Sequence, residues 1–261
     1  MRRLKLILLG LLAGGARAEG LGLISNEARH CVKPELCASV SITSLASPDP
    51  ALNGYADGLL GPAGADAFTR LDQAGLVAWL QRLTADEADG ETSNLSYVFD
   101  YSVKQLGESA RHRVLKVERY DYAGGAHGLV SVQFHVLPKA GPLRALNLED
   151  ILLPGQRARL EERHRQAIIR LLDAEDGHAP RPPEKELRAL FDAAGHWRFD
   201  RRGLLFQYNN YDLAAYLVGL PEILVPTTAL DGIIRPEIRA ELESWQEQEP
   251  GPAVLKPQWR R

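Results

Sequence analysis

Residues 128–137 alternate without interruption. Val130, Val132, Phe134 and Val136 fall on one side of an extended chain, and Ser131, Gln133 and His135 fall on the other. A period of two means a half-buried β-strand, because successive side chains leave a pleated strand on opposite faces. Directly before it stands Tyr120-Asp121-Tyr122-Ala123-Gly124-Gly125-Ala126-His127-Gly128. This reads as the end of a second strand, over 111–122, running into a tight turn that glycine makes available. A third strand is expected over 94–104. The middle of the chain is therefore committed to an antiparallel sheet.

The flanking regions add helices. Val40, Ile42 and Leu45 mark a strand over 38–47, and Ser47-Pro48-Asp49-Pro50 turns the chain into a short helix near 50–60. Asp66 is placed to cap a second helix, with Phe68, Leu71, Leu76, Leu80 and Leu83 as its apolar stripe. Residues 85–93 are acidic and polar, a loop. Leu148–Leu152 forms a turn-like element before a helix over 156–173, whose Leu160, Ala167, Ile168, Leu171 and Leu172 share one side. A Pro- and Gly-bearing loop over 174–183 and a short helix near 184–194 follow. Strands are expected over 196–200 and 203–209 and at Ile223–Pro226, with a poorly ordered tail from Glu247. The expected fold is α+β, mainly antiparallel sheet or sheets with helices packed on one face. The chain is 45% apolar and 25% charged, with 23 Gly and 16 Pro, so it has material for a real core and too little Gly and Pro for a linker or collagen-like protein.

The first residues carry a different signal. Arg2, Arg3 and Lys5 precede the apolar run Leu6–Ala13, and Ala16-Arg17-Ala18 gives the small-x-small pattern that signal peptidase cuts. The run is far shorter than the roughly 20 residues of a membrane span. Residues 1–18 therefore read as a signal peptide, with the mature chain starting at Glu19 in the periplasm or outside the cell. The whole sequence has 31 basic and 34 acidic residues, a net charge of −3; the leader holds four of the bases and no acid, which leaves −7. An acidic body argues against nucleic acid, whose phosphates need positive charge on the partner. Cys31 and Cys37 follow soon after. In an exported protein they most simply close a small disulfide loop containing Pro34, since only His30 is near enough to join a metal set and C-x-x-C redox spacing is absent.

The segment Tyr120–Gly128 resembles the Y-x-Y-T-G-G-A-H-G signature of the RsiV and PdaC type of extracytoplasmic domain, with Ala123 where Thr is common. Leu146–Leu152 resembles that family's L-x-L-x-D-L-F segment, with Leu152 for Phe. Gly203–Tyr216 resembles G-L-x-F-x-F-x-x-Y-E-I-A-P-Y, with Asp212 for Glu and Ala215 for Pro. Val218-Gly219 and Val225-Pro226 match the closing A-G and I-P. The likeness runs over 38–232 and is strongest from Tyr120 onward. It implies an α+β domain outside the cytoplasmic membrane. In RsiV, an anti-sigma factor, that domain binds lysozyme; in PdaC-like proteins it accompanies a polysaccharide deacetylase. This sequence shows neither a span with a sigma-binding segment nor a deacetylase's Asp/His metal motif, so the expectation is the outer domain alone. The chain then divides into the leader, an N-terminal segment over 19–37, an α+β half over 38–119, the family-like half over 120–232, and a helix and tail over 233–261.

No G-x-S-x-G elbow, H-E-x-x-H, phosphate-binding glycine loop or dinucleotide fingerprint is present. No catalytic residue, metal or cofactor is expected. His127 could serve as a general base; a structural histidine fixing a turn is the plainer reading. His112, His135, His164 and His196 lack ligand spacing and read as solvated or satisfied in the core. Of Glu149 and Asp150, one is expected to cap the structure that follows. Arg201-Arg202 reads as a solvated hairpin turn. Tyr208, Tyr211 and Tyr216 suit an interface, although alternation would bury some of them, and Phe206 and Tyr216 suit the core. The expected partner surface is Asn209, Asn210, Tyr211 and Asp212, where the strand emerges into solvent, together with His127. The alternative is that Tyr211 folds back and Asp212 caps Leu213–Gly219. The functional expectation is a noncatalytic envelope protein that binds a lysozyme or other cell-wall hydrolase and inhibits it. A peptidoglycan- or glycan-binding accessory module is the alternative, and a hydrolase or deacetylase comes third.

Overall fold

The structure is a computed structural model and describes residues 21–33, 36–60, 73–85, 96–174, 183–192, 196–209, 212 and 220–248. It is an α+β fold with two sheets. β1 (Gly22–Lys33) and β2 (Leu36–Ala46) form an antiparallel hairpin, and Cys31 and Cys37, directly opposite each other in its register, are joined by a disulfide. The chain then crosses over through α1 (Pro50–Asp57) and α2 (Gln73–Ala85) and returns as β3 (Tyr97–Glu108), parallel to β2. A parallel pair requires such a crossover, and helices are its usual content. β4 (His112–Tyr122) and β5 (Leu129–Pro138) complete the order β1-β2-β3-β4-β5 as antiparallel neighbours.

The second half contains α3 (Leu148–Ile151), α4 (Arg157–Ala174) and α5 (Glu184–Asp192). A three-stranded antiparallel sheet follows, built from β6 (Trp197–Asp200), β7 (Gly203–Gln207) and β8 (Glu222–Pro226), and then α6 (Pro236–Glu243). The larger sheet separates two cores. On one face Val40, Ile42, Phe99, Tyr101, Leu115 and Val117 meet α1 and α2 through Leu52, Ala56, Leu76 and Leu80. On the other face Val114, Val132, Phe134 and Val136 meet the smaller sheet and α4 through Phe199, Phe206, Leu160 and Ile168. β5 is therefore covered on both sides. His135, on the polar side of the alternation, is half-buried and shares a 2.8 Å hydrogen bond from Nδ1 to the Tyr55 hydroxyl on α1.

Most strands and helices lie where the sequence pattern places them. Asp66, Phe68 and Leu71 fall outside the described residues, while Leu76 and Leu80 of the same stripe are buried. Two differences have physical causes. The segment before Cys31 is a full strand, β1, although only Ala28 in it is buried; its polar surface hides it from any periodicity, and the β2 ladder holds it. The first two residues of the expected tail are not loose: Gln246 and Glu247 form β9 against β3, and Gln248 N–H donates to the Leu106 carbonyl at 2.8 Å, while 249–261 lie outside the described residues. α6 is tied to the β3–β4 turn by Glu241, whose buried carboxylate accepts from Ser109 Oγ (2.5 Å) and from the Arg111 N–H and Nε (both 2.9 Å), and lies 2.9 Å from His112 Nδ1. Burial alone would raise this carboxyl; those hydrogen bonds outweigh it and bring the pKa down to about 2.

Candidate functional site

The glycine-rich motif forms the tip of the β4–β5 hairpin, and each part of it has a structural role. Gly124 and Gly125 stand at φ 89° and 96°, where L side chains are strained. The Tyr122 hydroxyl donates to the Gly125 carbonyl at 3.0 Å, which pins the turn to the strand that leads into it. The Tyr120 ring lies over Gly128, so that a Cβ there would come within 2.5 Å of it. Two tyrosines and three glycines thus fix a loop whose Ala123, Gly125, Ala126 and His127 are exposed. Leu129, just beyond, is 52% exposed, the most exposed large apolar residue among those described.

The second expected surface is only partly within view, because Asn210 and Tyr211 lie outside the described residues. Asn209 is half-buried, and its Oδ1 accepts the Val132 backbone N–H at 2.7 Å, closing part of the free edge of β5. Asp212 is exposed and folds back, with Oδ2 accepting the Asn209 N–H at 2.9 Å and its own N–H donating to the Asn209 carbonyl at 3.2 Å. Asn209 therefore acts as a polar cap between β7 and β5 rather than a marker of open solvent. Tyr208 differs from the interface expectation: it is fully buried against His164 and His196.

His112, His135, His164 and His196 are engaged within the fold. His164 is buried on α4, and loss of hydration holds its imidazole neutral, with a pKa down to about 3. Burial, helped by the nearby Arg119, lowers His135 to about 4. His196 Nδ1 lies 3.0 Å from the Gln207 carbonyl oxygen. Among the described residues, no three His, Cys, Asp or Glu side chains gather as a metal set. Asp150 is the capping acid of α3: it accepts the Asn147 N–H at 2.9 Å while Asn147 Oδ1 accepts the Asp150 N–H at 3.1 Å. A 3.1 Å contact with Arg144 holds its carboxyl below the usual range.

Sequence reasoning missed a cleft of about 340 Å³ beside β5. Gln133, Phe134 and His135 form one wall, Asn147 and Leu148 another, and Arg157, Phe191 and Trp197 a third. Arg157 is fully engaged, bonded to Glu149 (2.9 Å) and Asp192 and lying 5.3 Å over the Phe191 ring. The cleft therefore carries aromatic and amide surface without unbalanced charge. Nothing local in the sequence announces it, because its walls come from segments far apart in the chain.

Among the described residues no helix is long and apolar enough to cross a membrane. The fold resembles two solved structures. One is a DUF3298 family protein from Pseudomonas aeruginosa PAO1, 21% identical with a TM-score of 0.59, covering 84% of this chain and 97% of that one. The other is a member of the same family from Bacteroides fragilis, 18% identical with a TM-score of 0.62, covering 87% of this chain and all of that one. Comparison with curated proteins finds no match. From within α3 to just past β8, residues 149–228 match the model of DUF3298, a family described as a protein of unknown function.

Proposed function

We propose that the protein is a noncatalytic, exported binding domain of the cell envelope, and that its β4–β5 tip engages and inhibits a cell-wall hydrolase of the lysozyme kind. The observation that carries this reading is the construction of the tip. Tyr120, Tyr122 and the positive-φ glycines hold the backbone in one shape, and that shape presents His127 and Leu129 outward. A rigid projecting loop suits insertion into a concave enzyme cleft, since little conformational entropy remains to be lost on binding. The motif that builds it is the one resembling RsiV-type domains. A net charge of −7 beyond residue 18 suits a basic enzyme and favours its approach.

Export rests on the cationic, apolar and small-residue pattern of the first 18 residues and on the Cys31–Cys37 disulfide, which persists in oxidising compartments. Intact mass of protein from the envelope fraction is expected to begin at Glu19; retention of Met1–Ala18 would refute cleavage. Calorimetry against a panel of purified lysozymes, beside a lysis assay, tests the binding. The double change His127→Asp with Leu129→Ser is expected to weaken binding by about tenfold or more, roughly 1.4 kcal/mol, in a protein that still unfolds cooperatively. A panel without any binder, or a variant that binds as the wild type does, would overturn the reading. Turnover of purified peptidoglycan by the protein alone would overturn its noncatalytic part.

A further inference from the structure

The free edge of β5 carries a short open ladder, and this feature is independent of the hairpin tip. Val132 N–H bonds Asn209 Oδ1, and the Val136 carbonyl accepts the Leu146 N–H at 2.9 Å, so both residues turn their peptide groups away from β4. Val132, Phe134 and Val136 pair in unbroken register with Glu118, Lys116 and Val114. Residues two apart on an antiparallel strand share one orientation, so Phe134 also directs both its N–H and its C=O outward. With the Val132 C=O and Val136 N–H this makes a row of acceptor, donor, acceptor, donor, roughly 10 Å long. Among the described residues no hydrogen bond reaches these four groups. Phe134, at the centre of the row, lines the cleft and is only 4% exposed, so bulk water satisfies the row poorly.

The order of these groups selects the ligand. An extended peptide offers the complementary alternation from one side. The acetamido group of an amino sugar points its N–H and C=O in opposite directions, as every trans amide does, and so meets only one group of the row. A residue opposite Phe134 sends its side chain to the Phe134 face of the sheet, toward Phe191 and Trp197, which favours an apolar one. The residues on either side of it meet the Gln133 and His135 face, which is polar; the Arg119 guanidinium there already donates to Gln133 Oε1 at 3.3 Å and to the Leu59 carbonyl at 3.1 Å. Arg157 is already committed to Glu149 and Asp192, so a charged peptide gains nothing there. Asn209 and Leu146 close the two ends and limit the segment to about three residues.

We propose that the β5 cleft is a binding site for a short extended segment of a partner protein, polar–apolar–polar and uncharged, which adds as a strand opposite Phe134. The test uses the intact mature protein, labelled with nitrogen-15 and titrated to millimolar concentration with the blocked tripeptide acetyl-Thr-Val-Thr-methylamide. The expected result is resonance shifts centred on the Phe134 and Val136 amides, with hydrogen exchange at both slowed several-fold. The same peptide N-methylated at valine, which cannot donate from its centre, is expected to leave both amides unchanged. The proposal is overturned if the parent peptide leaves Phe134 and Val136 unaffected, if the N-methylated peptide protects them equally, or if chitotriose protects them and the peptide does not.

Discussion

Tyr208, one residue beyond β7, hydrogen-bonds His164 of α4 at a point where neither side chain meets solvent. The imidazole sits among aromatic rings, 4.5 Å from the Phe206 centroid and 5.3 Å from that of Phe191. α4 is thereby fastened to the smaller sheet by a polar bond inside an apolar core. That bond suits the uncharged form of both partners: burial lowers the histidine pKa and raises that of the tyrosine.

The first prediction is acid sensitivity. The unfolded chain protonates His164 near pH 6.5, while the folded protein resists until about 3, so the unfolded state takes up the extra proton between these values. Stability is fully present above pH 6.5 and falls toward pH 3, by up to about 1.4 kcal/mol per pH unit. His135 acts in the same sense between 6.5 and about 4, and Glu241 between its ordinary 4.5 and about 2. Urea melts across this range should show the midpoint dropping. His164→Phe should reduce the slope above pH 4.5 by about half, His135 supplying the rest; a wild-type midpoint constant from pH 7 to pH 4 would refute the assignment.

The second concerns the tip. Gly125 has nothing within 4 Å of its would-be Cβ, so Gly125→Val meets dihedral strain without a clash and should cost about 1–3 kcal/mol. Gly128→Ala instead must displace the Tyr120 ring. His127→Ala leaves the backbone of the turn unstrained and should cost less than Gly125→Val. Chemical denaturation of the three variants decides the matter, and an unaltered Gly125→Val midpoint would show that the turn needs no special backbone.

The third separates Asn209 from Asp212. Asn209→Ala strands the Val132 N–H and should lower stability by roughly 1–3 kcal/mol. Asp212→Asn keeps an acceptor for the Asn209 N–H and should stay within about 0.5 kcal/mol of the wild type. Thermal melts with the opposite ranking would mean that Asn209 is not a cap.

The fourth concerns the N-terminal hairpin. Cys31 and Cys37 are six positions apart, and closing so small a loop stabilises by about 2 kcal/mol in the chain-entropy account. Replacing both by Ser should reduce stability by that order and speed amide exchange in β1 before the rest of the sheet. Uniform exchange across all strands would contradict a local role.

The alternation at Val130–Val136, the stripe at Leu160–Leu172 and the glycines of the Tyr120–Gly128 turn were all legible because each pattern is local. Side chains two apart on a strand, or three and four apart on a helix, share a face whatever the rest of the chain does. β1 was not legible, since a strand held by its neighbour's ladder and exposed on most of its length needs no apolar period. Of Glu149 and Asp150, one is expected to cap the structure that follows; Asp150 instead sits inside α3 and closes a capping box with Asn147, the residue that starts that element.

By itself, then, the sequence determined the α+β class, the hairpin with its glycine turn, the cysteine pair and most helix and strand positions, because these depend on residues near one another in the chain. Tertiary structure alone decided that both faces of β5 are covered, that Asn209 reaches Val132 across 77 positions, and that Phe134, Arg157 and Trp197 share one cleft. Those relations come from the packing of one sheet against another. Packing is set by the fit of whole surfaces, which no short window of sequence contains.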